Sequence, residues 1–548
     1  MSSLARACRW CRASPFVSEA VAVADSEGEY GGANPWLIAV LVSVATFMEV
    51  LDTTIANVAL RYIAGGLAVS GDEASWVVTT YLVANSIVLC ASGWIAQMFG
   101  RKNFFLVCIA LFTVSSLLCG FAWNLQSLLL FRIMQGLAGG GMTPVAQSIL
   151  AAAFPPAKRG QGFALYGIAV VVAPVVGPTL GGWLSDNLSW HWCFLINVPV
   201  GVITLALIYL IIPSSEKQRQ ERAKLWAKGL DFDIVGFALV ATFLGALEVV
   251  LDRGQVDDWF GSTFIVTFAI ISAAALIAFV PWELSRERPL IDVRMLTGRQ
   301  FGTCFVIMLA TGALLIATTQ IVPQLLQERF GYTATLAGLV ISPGGLVTMV
   351  MMVVVGRLGG SVQPRWLIAL GATIAGGAMI DLMRMSPDAD YWFFALSRIY
   401  LGIGLPLIFI PITTASYDGI PPNKTDQASA MINLARNFGG SIGVSISQTV
   451  LARREQFHQS RLSEHIGSWN PVLHDTLAQI QGYLGTQNAT GNKSGSAMAV
   501  VGQIVENQAA LLAYLDVFVA LGLIAAAMIP LALSLRSVDR SAKPVMGH

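Results

Sequence analysis

Two carboxylates, Glu49 and Asp52, stand three residues apart in the stretch FMEVLDTTIANVAL, residues 47–60. The stretch ends a long apolar run, where water is scarce. On a helix, residues three apart share a face, so the two acids stack. An acid near the bilayer centre costs roughly 2.5–3.5 kcal/mol on insertion scales and therefore faces a cavity or a partner. Burial favours the neutral form of an acid, and a neighbouring arginine favours the ionised one. An acid held between these influences can load and unload a proton as access alternates between the two sides of a membrane. If the first helix runs outward and the fourth inward, Asp52 lies roughly 12 Å and Arg132 roughly 7–11 Å below their outer ends. The two can then pair. Glu49 has no obvious arginine and is the better placed of the two acids to hold a proton. The alternative is a static Asp52–Arg132 pair, with Glu49 contacting a cationic substrate.

Positioning such groups takes a bundle of membrane helices, and the composition demands one. Of 548 residues, 55% are hydrophobic and 12% charged, with a mean hydropathy of +0.67; soluble chains carry about 25% charged residues. A span needs roughly 20 mainly apolar residues. Fourteen segments meet this: 36–60, 74–97, 103–122, 127–151, 161–184, 192–213, 233–251, 262–284, 301–325, 335–358, 364–385, 391–417, 425–450 and 512–536. The chain is read as an all-α polytopic membrane protein with both termini on one side. Arg101, Lys102, Lys158, Arg159, Lys217, Arg219, Arg222, Lys224, Arg286 and Arg288 fall in loops on the side of the termini. The opposite side carries Arg61, Arg253, Arg329 and Arg384, plus Arg453, Arg454, Arg461 and Lys493 in one long loop, which weighs little. The bias predicts cytoplasmic termini.

The chain repeats itself weakly. RIMQGLAGG from Arg132 resembles RIYLGIGLP from Arg398, and GWIAQMFGRKNF from Gly93 resembles GRLGGSVQPRWL from Gly356, at nearly the same interval. Parallel repeats of this kind are a transporter signature. They predict a tail over 1–35, a six-helix bundle over 36–213, a linker with two inserted helices over 214–300, a second six-helix bundle over 301–536 and a tail over 537–548. Within the second bundle, 451–511 is a polar outer loop that can form two amphipathic helices followed by a weakly ordered stretch, GTQNATGNKSGS. Its size suggests a docking surface. His458 and His465 share a helix face there and are expected to be solvated. Glu248, Asp252 and Asp381 are expected at water-reachable rims, while Arg398 and Arg436 have no assigned partner. Asn433 and Asn437 give the span of Arg436 a polar face, and Asn57, Gln135, Asn433, Arg436 and Glu49 are candidate walls of a substrate cavity.

Other chemistries lack their residues. Cys8 and Cys11 form a lone C-x-x-C in a tail without histidine, two ligands short of a zinc site. Cys90, Cys108, Cys119, Cys193 and Cys304 fall in apolar segments and read as packing residues. The first 34 residues lack a single apolar core followed by a cleavage site and read as a tail. The sequence has no G-x-x-x-x-G-K-[ST] loop and no serine elbow. Neither an enzyme, a resident cofactor or metal, nor a nucleic-acid partner is expected.

Several stretches resemble a known family. LDTTIANVAL (51–60) resembles the first-helix signature of the fourteen-helix drug:proton antiporters of the major facilitator superfamily. LLLFRIMQGLAGG (128–140) resembles the superfamily's arginine motif, and APVVGPTLGG (173–182) its antiporter motif. WHWCFLINVPVGV, VPQLLQERFGYTATLAGL and NQAALLAYLDVF extend the likeness over almost the whole chain, which is most similar to the EmrB branch of the EmrB/QacA group. The resemblance implies proton-driven export of lipophilic, often cationic or amphiphilic compounds from a bacterial inner membrane, by rocking of two halves. It also implies proton coupling through Asp52 with support from Arg132, and a periplasmic membrane-fusion adaptor with an outer-membrane channel beyond it. Residues 451–511 would then be the docking surface. An exporter of one metabolite or siderophore on the same scaffold would share every motif.

In the antiporter motif, Pro174 and Pro178 remove backbone donors, while Gly177, Gly181 and Gly182 admit a neighbouring helix. A hinge, a leak seal or a tight helix crossing are all open readings. The cytoplasmic loop motif keeps Gly93, Gly100, Arg101 and Lys102, but has Gln97 where the superfamily has an acid. The gate cannot take its usual negative charge from position 97. Glu49 has no counterpart in the family pattern.

Overall fold

The computed structural model describes residues 33–155, 158–213, 219–220, 222–223, 233–286, 289–358, 362–421, 424–464, 466, 470–486 and 493–536. The expectations for both tails, including the Cys8/Cys11 pair, lie outside the described residues. Fourteen long helices occupy the fourteen predicted positions. They are α1 (Pro35–Leu67), α2 (Gly71–Phe99), α3 (Arg101–Cys119), α4 (Leu125–Ala153), α5 (Arg159–Asn187), α6 (Trp192–Ile211) and α7 (Ile234–Arg253). The others are α8 (Thr263–Ser285), α9 (Arg299–Glu328), α10 (Ala334–Leu358), α11 (Pro364–Leu382), α12 (Tyr391–Ala415), α13 (Thr425–Ser463) and α14 (Lys493–Leu533). Among the described residues there is no β-strand.

Twelve of these helices are long and apolar enough to cross a membrane. The two that fall short of the apolarity criterion, α4 and α13, are 29 and 39 residues long. Their deficit comes from buried polar groups: Arg132, Gln135, Thr143 and Gln147 on α4, and Asp426, Asn433, Arg436 and Ser445 on α13. Polarity in a span is tolerated where it faces the protein interior, so the least apolar helices are the central ones.

Local sequence sets the helix ends. Asn34 accepts from the Trp36 amide in front of Pro35, and Ser70 and Glu73 form a reciprocal capping box at the start of α2. Gly100 alone separates α2 from α3 with a φ of 87°, a conformation that favours glycine.

Packing follows small residues. A Cβ on Gly136 of α4 would sit 2.4 Å from the Tyr81 carbonyl of α2; a Cβ on Gly402 of α12 would sit 2.4 Å from the Gly344 carbonyl of α10. These equivalent close approaches fall at matching places in the internal repeat. Across the middle, α5 packs on α10, and α2 and α4 pack on α13. The inserted α7 packs on α8 and also touches both α2 and α13.

The main departure from expectation lies at 451–511. The first predicted loop helix is the continuation of α13 to Ser463, and the last part of the segment belongs to α14, which begins at Lys493; only Pro471–Thr486 forms a separate helix. At about 1.5 Å per residue, α13 and α14 are far longer than a bilayer core of about 30 Å, so both run on beyond it. Salt bridges tie the extensions down: Arg329 to Glu455 at 2.9 Å and Arg454 to Asp516 at 2.5 Å. His458 also bonds Asp516 at 2.8 Å rather than standing solvated, and His465 lies outside the described residues.

Candidate functional site

Close packing of α2 on α4 sets up the interior. Gly139 and Gly140 admit Tyr81 and Asn85 of α2, whose nearest atoms would lie 2.7 and 2.2 Å from added Cβ atoms. Tyr81 thereby comes over the Arg132 guanidinium, 4.3 Å from its ring centroid, with Phe194 of α6 at 5.5 Å on another side. On α1, Gly177 and Gly181 of α5 abut Thr54 and Ile55, with Thr54 Oγ1 2.1 Å from a Cβ built at Gly177. The antiporter-motif glycines thus form a tight crossing against the turn that follows Asp52. Gly182 is buried, and α5 runs unbroken through Pro174 and Pro178.

The predicted pair forms. Arg132 Nη1 donates to Asp52 Oδ2 at 2.6 Å, with both side chains fully buried. Asp52 Oδ1 accepts from Gln135 Nε2 at 2.9 Å and Asn197 Nδ2 at 2.7 Å. Arg132 also donates to Gln135 Oε1 at 2.7 Å and, through Nε, to the Val77 carbonyl at 3.1 Å. Gln135 Nε2 reaches Ser116 Oγ at 2.6 Å. Asp52 is therefore a carboxylate with a cation and two amide donors. Gln135 belongs to this network rather than to an open wall.

Glu49 has a different environment. It is 6% exposed, and its donors are uncharged: Thr143 Oγ1 at 2.7 Å and Asn85 Nδ2 at 3.5 Å. Four residues beyond Thr143 on α4, Gln147 and Asn433 of α13 form a reciprocal amide pair at 2.8 and 3.2 Å, and Ser429 Oγ donates to the Pro144 carbonyl at 2.8 Å. Arg436, unassigned from sequence, donates to Tyr166 Oη of α5 at 3.4 Å and to Asn437. Glu49, Gln147, Asn433 and Arg436 thus gather where the two groups of helices meet. Asn57 is exposed, two turns further along α1 on the face of Glu49.

The end of the bundle carrying the α2–α3 turn is closed by charge. Arg101 Nε donates to Asp426 Oδ1 at 2.7 Å and Nη2 to Oδ2 at 3.2 Å, a two-pronged pair with 9% and 7% of the side chains exposed. Gly93 lets the start of α13 approach, its Cβ position lying 3.2 Å from the Asp426 carbonyl. Asp426 supplies the charge that position 97 lacks, from the other group of helices; Gln97 is half-buried. Lys102 donates to the Tyr209 carbonyl at 3.0 Å, and Lys424 pairs with Asp292 at 2.6 Å.

One expectation changes. Glu248 is not a rim residue: it is 2% exposed and bonded to Ser441 at 2.6 Å. Asp381 and Asp252 are partly buried and take the hydroxyls of Ser397 and Thr79. Arg398 is buried, and among the described residues its Nε and Nη1 have no hydrogen-bond partner. Residues that sequence reasoning missed are Asn197, Thr143, Gln147, Tyr166 and Asp426. Asp426 reads as an ordinary acid in a first helical turn, and the others are single polar residues without a motif.

Residues 42–444 match the Major Facilitator Superfamily. The chain is 37% identical over 446 residues to the multidrug export protein EmrB of Haemophilus influenzae, covering 81% of this chain and 86% of that protein. It is 35% identical over 463 residues to the probable multidrug resistance protein EmrY of Escherichia coli, covering 84% and 89%. The solved structure of the proton:xylose symporter XylE superposes with a TM-score of 0.55 at 13% identity, covering 90% of this chain and 96% of that one, a likeness of fold. With this sequence match running through the helices that build the site, the chain belongs to the Major Facilitator Superfamily, in its EmrB-related group.

Proposed function

We propose that the protein is a proton-coupled multidrug exporter working by alternating access, with both termini in the cytoplasm of a bacterial cell whose inner membrane it spans. The observation that carries the reading is the contrast within α1. Asp52 is salt-bridged to Arg132, whereas Glu49, one turn away at the meeting of the two helix groups, is hydrogen-bonded by the uncharged Thr143 and Asn85, with the neighbouring Arg436 bonded to Tyr166 and Asn437 instead. An ionised carboxylate in such a place is costly and a protonated one is not. Glu49 is the group that trades its proton for a cationic substrate, and Asp52–Arg132 holds α1, α4 and α6 in register around it. Arg101–Asp426 is the cytoplasmic lock, and Arg436, Asn433 and Gln147 form the floor of the substrate path. The relatives named multidrug export proteins support the substrate class.

The extensions of α13 and α14, with the helix Pro471–Thr486, are the docking surface for a periplasmic membrane-fusion adaptor leading to an outer-membrane channel. Replacing 464–492 by a short Gly-Ser linker spares transport in vesicles and abolishes whole-cell resistance; loss of vesicle transport would make the segment structural.

The central test is uphill efflux from proteoliposomes under an imposed pH gradient, with charged and neutral dyes. Glu49→Gln is expected to cut export of cations at least about tenfold and of neutral dyes less; Asp52→Asn and Arg132→Ala depress both. Full-speed uphill pumping by the Glu49→Gln, Asp52→Asn double variant would overturn the reading.

A further inference from the structure

The inserted hairpin carries a carboxyl group that the central network does not use. Glu248 of α7 is 2% exposed, and its Oε1 accepts from Ser441 Oγ of α13 at 2.6 Å. Most of the other polar contacts at this end of α7 fasten it to α2. Arg253 donates to Ser75 Oγ at 2.6 Å and to the Asp72 carbonyl at 3.2 Å, and lies 5.2 Å from the Trp76 ring. The Thr79 hydroxyl donates to Asp252, and Val83 and Ile87 of α2 stand 3.5 and 3.6 Å from a Cβ built on Gly245. Towards α13 the contact is the Glu248–Ser441 hydrogen bond, next to the Phe243 and Phe438 rings at 6.4 Å. The hairpin is thus fastened mainly to the first group of helices, and its polar contact with α13 is one carboxyl on one hydroxyl.

No described cation faces that carboxyl. On α7 itself, Asp252 is one turn away and Arg253 is committed to α2 and Asp257. On α2 the charged residues are Asp72 and Glu73 at its start, and on α8 Glu283 at its end. On α13, Arg436 lies more than a turn towards the inner end and turns to Tyr166 and Asn437, while Arg454 beyond Ser441 pairs with Asp516. A carboxyl buried this way is stable as the acid, which offers one O–H donor and keeps acceptor capacity, and a serine hydroxyl can answer either role. An ionised carboxylate needs water instead, which enters only if α7 and α13 part.

Ser441 also begins a polar row. Ser441, Asn437, Asn433 and Ser429 recur every four residues and so share a face of α13. Ser441 Oγ reaches the Asn437 carbonyl at 3.4 Å, and Asn433 and Ser429 both contact Gln147 near Glu49. The row joins the hairpin to the central cluster.

We propose that Glu248 is a second proton-binding site, which clamps the inserted hairpin to α13 while it holds a proton and frees it when ionised. The proton arrives from the outer side past the partly buried Asp252, and on release passes to the water that enters the parted seam, leaving the carboxylate hydrated. The site adds to the role of Glu49 and does not depend on it, since the hairpin can be followed without substrate or transport.

The test is hydrogen exchange by mass spectrometry on the full chain in nanodiscs, corrected for the intrinsic pH dependence of exchange, following 240–256 and 434–448 at pH 6 and pH 9. Wild type is expected to lose about tenfold in protection of both segments at the higher pH. Glu248→Gln, permanently neutral and still a donor, stays protected at both. Ser441→Ala is already unprotected at pH 6, Ser441→Thr behaves as wild type, and Glu49→Gln keeps the wild-type response. A Glu248→Gln protein that retains the wild-type response, or a wild type without one, overturns the proposal. If Glu248→Gln does not fold, Ser441→Ala decides: wild-type protection at pH 6 rules the clamp out.

Discussion

The two groups of helices meet along two seams of opposite chemistry. Where α5 lies on α10, small residues interlock: a Cβ on Gly356 would meet the Ala164 Cβ at 2.9 Å, one on Gly345 would meet Val175 at 3.1 Å, and one on Gly338 would meet Thr179 at 2.1 Å. Where α2, α4 and the first residue of α3 lie on α13, the polar contacts include Arg101–Asp426, Ser429 to the Pro144 carbonyl and the Gln147–Asn433 amide pair. Dispersion contacts of the first kind are many, small and non-directional. The second kind are few and directional, and each can be exchanged for water when the seam opens. The difference assigns the moving, wettable side to α13 and the side that stays in contact to α5 and α10.

The largest expected effect comes from the lock. Arg101→Ala leaves Asp426 buried without its cation, a loss of about 3–5 kcal/mol for a broken buried pair, and so favours opening at that end. Cys90, buried and lining the space beside Gly93 and Gln427, should then react with a permeant maleimide orders of magnitude faster. An unchanged rate would mean that the pair is not what closes this end. Next, Gly356→Val overpacks the dry seam at a cost of about 1–3 kcal/mol, seen as a roughly tenfold or greater fall in efflux without faster labelling of Cys90. If it labels as fast as Arg101→Ala, the assignment of the two seams is reversed. Smallest, Asn433→Ala unpairs Gln147 at a cost of about 1 kcal/mol, giving about a fivefold change in efflux. A complete block would move the centre of function from Glu49 to the amide pair.

The elements were largely legible in the sequence. Runs of apolar residues located the fourteen long helices, because hydropathy over a span reports burial in lipid directly. The Asp52–Arg132 pair was foreseen from depth, since the two lie at similar distances below the outer ends of their helices. What stayed hidden depends on contacts across the seams. Asp426 sits next to a loop and looks like a helix-start acid until α13 is packed beside α2. Glu248 looks water-reachable near a helix end until α13 covers it. The end of α13 was misplaced because polar residues from Arg453 onward mark the limit of the membrane but not the limit of the helix, which runs 39 residues without a break.

That unbroken length has a mechanical meaning. The same stiff rod holds Asp426 at one tip and, about 55 Å away at 1.5 Å per residue, ends at Ser463 in the solvent on the far face. If the proposed adaptor grips the distant tip, it gains leverage on the bolt at the near one.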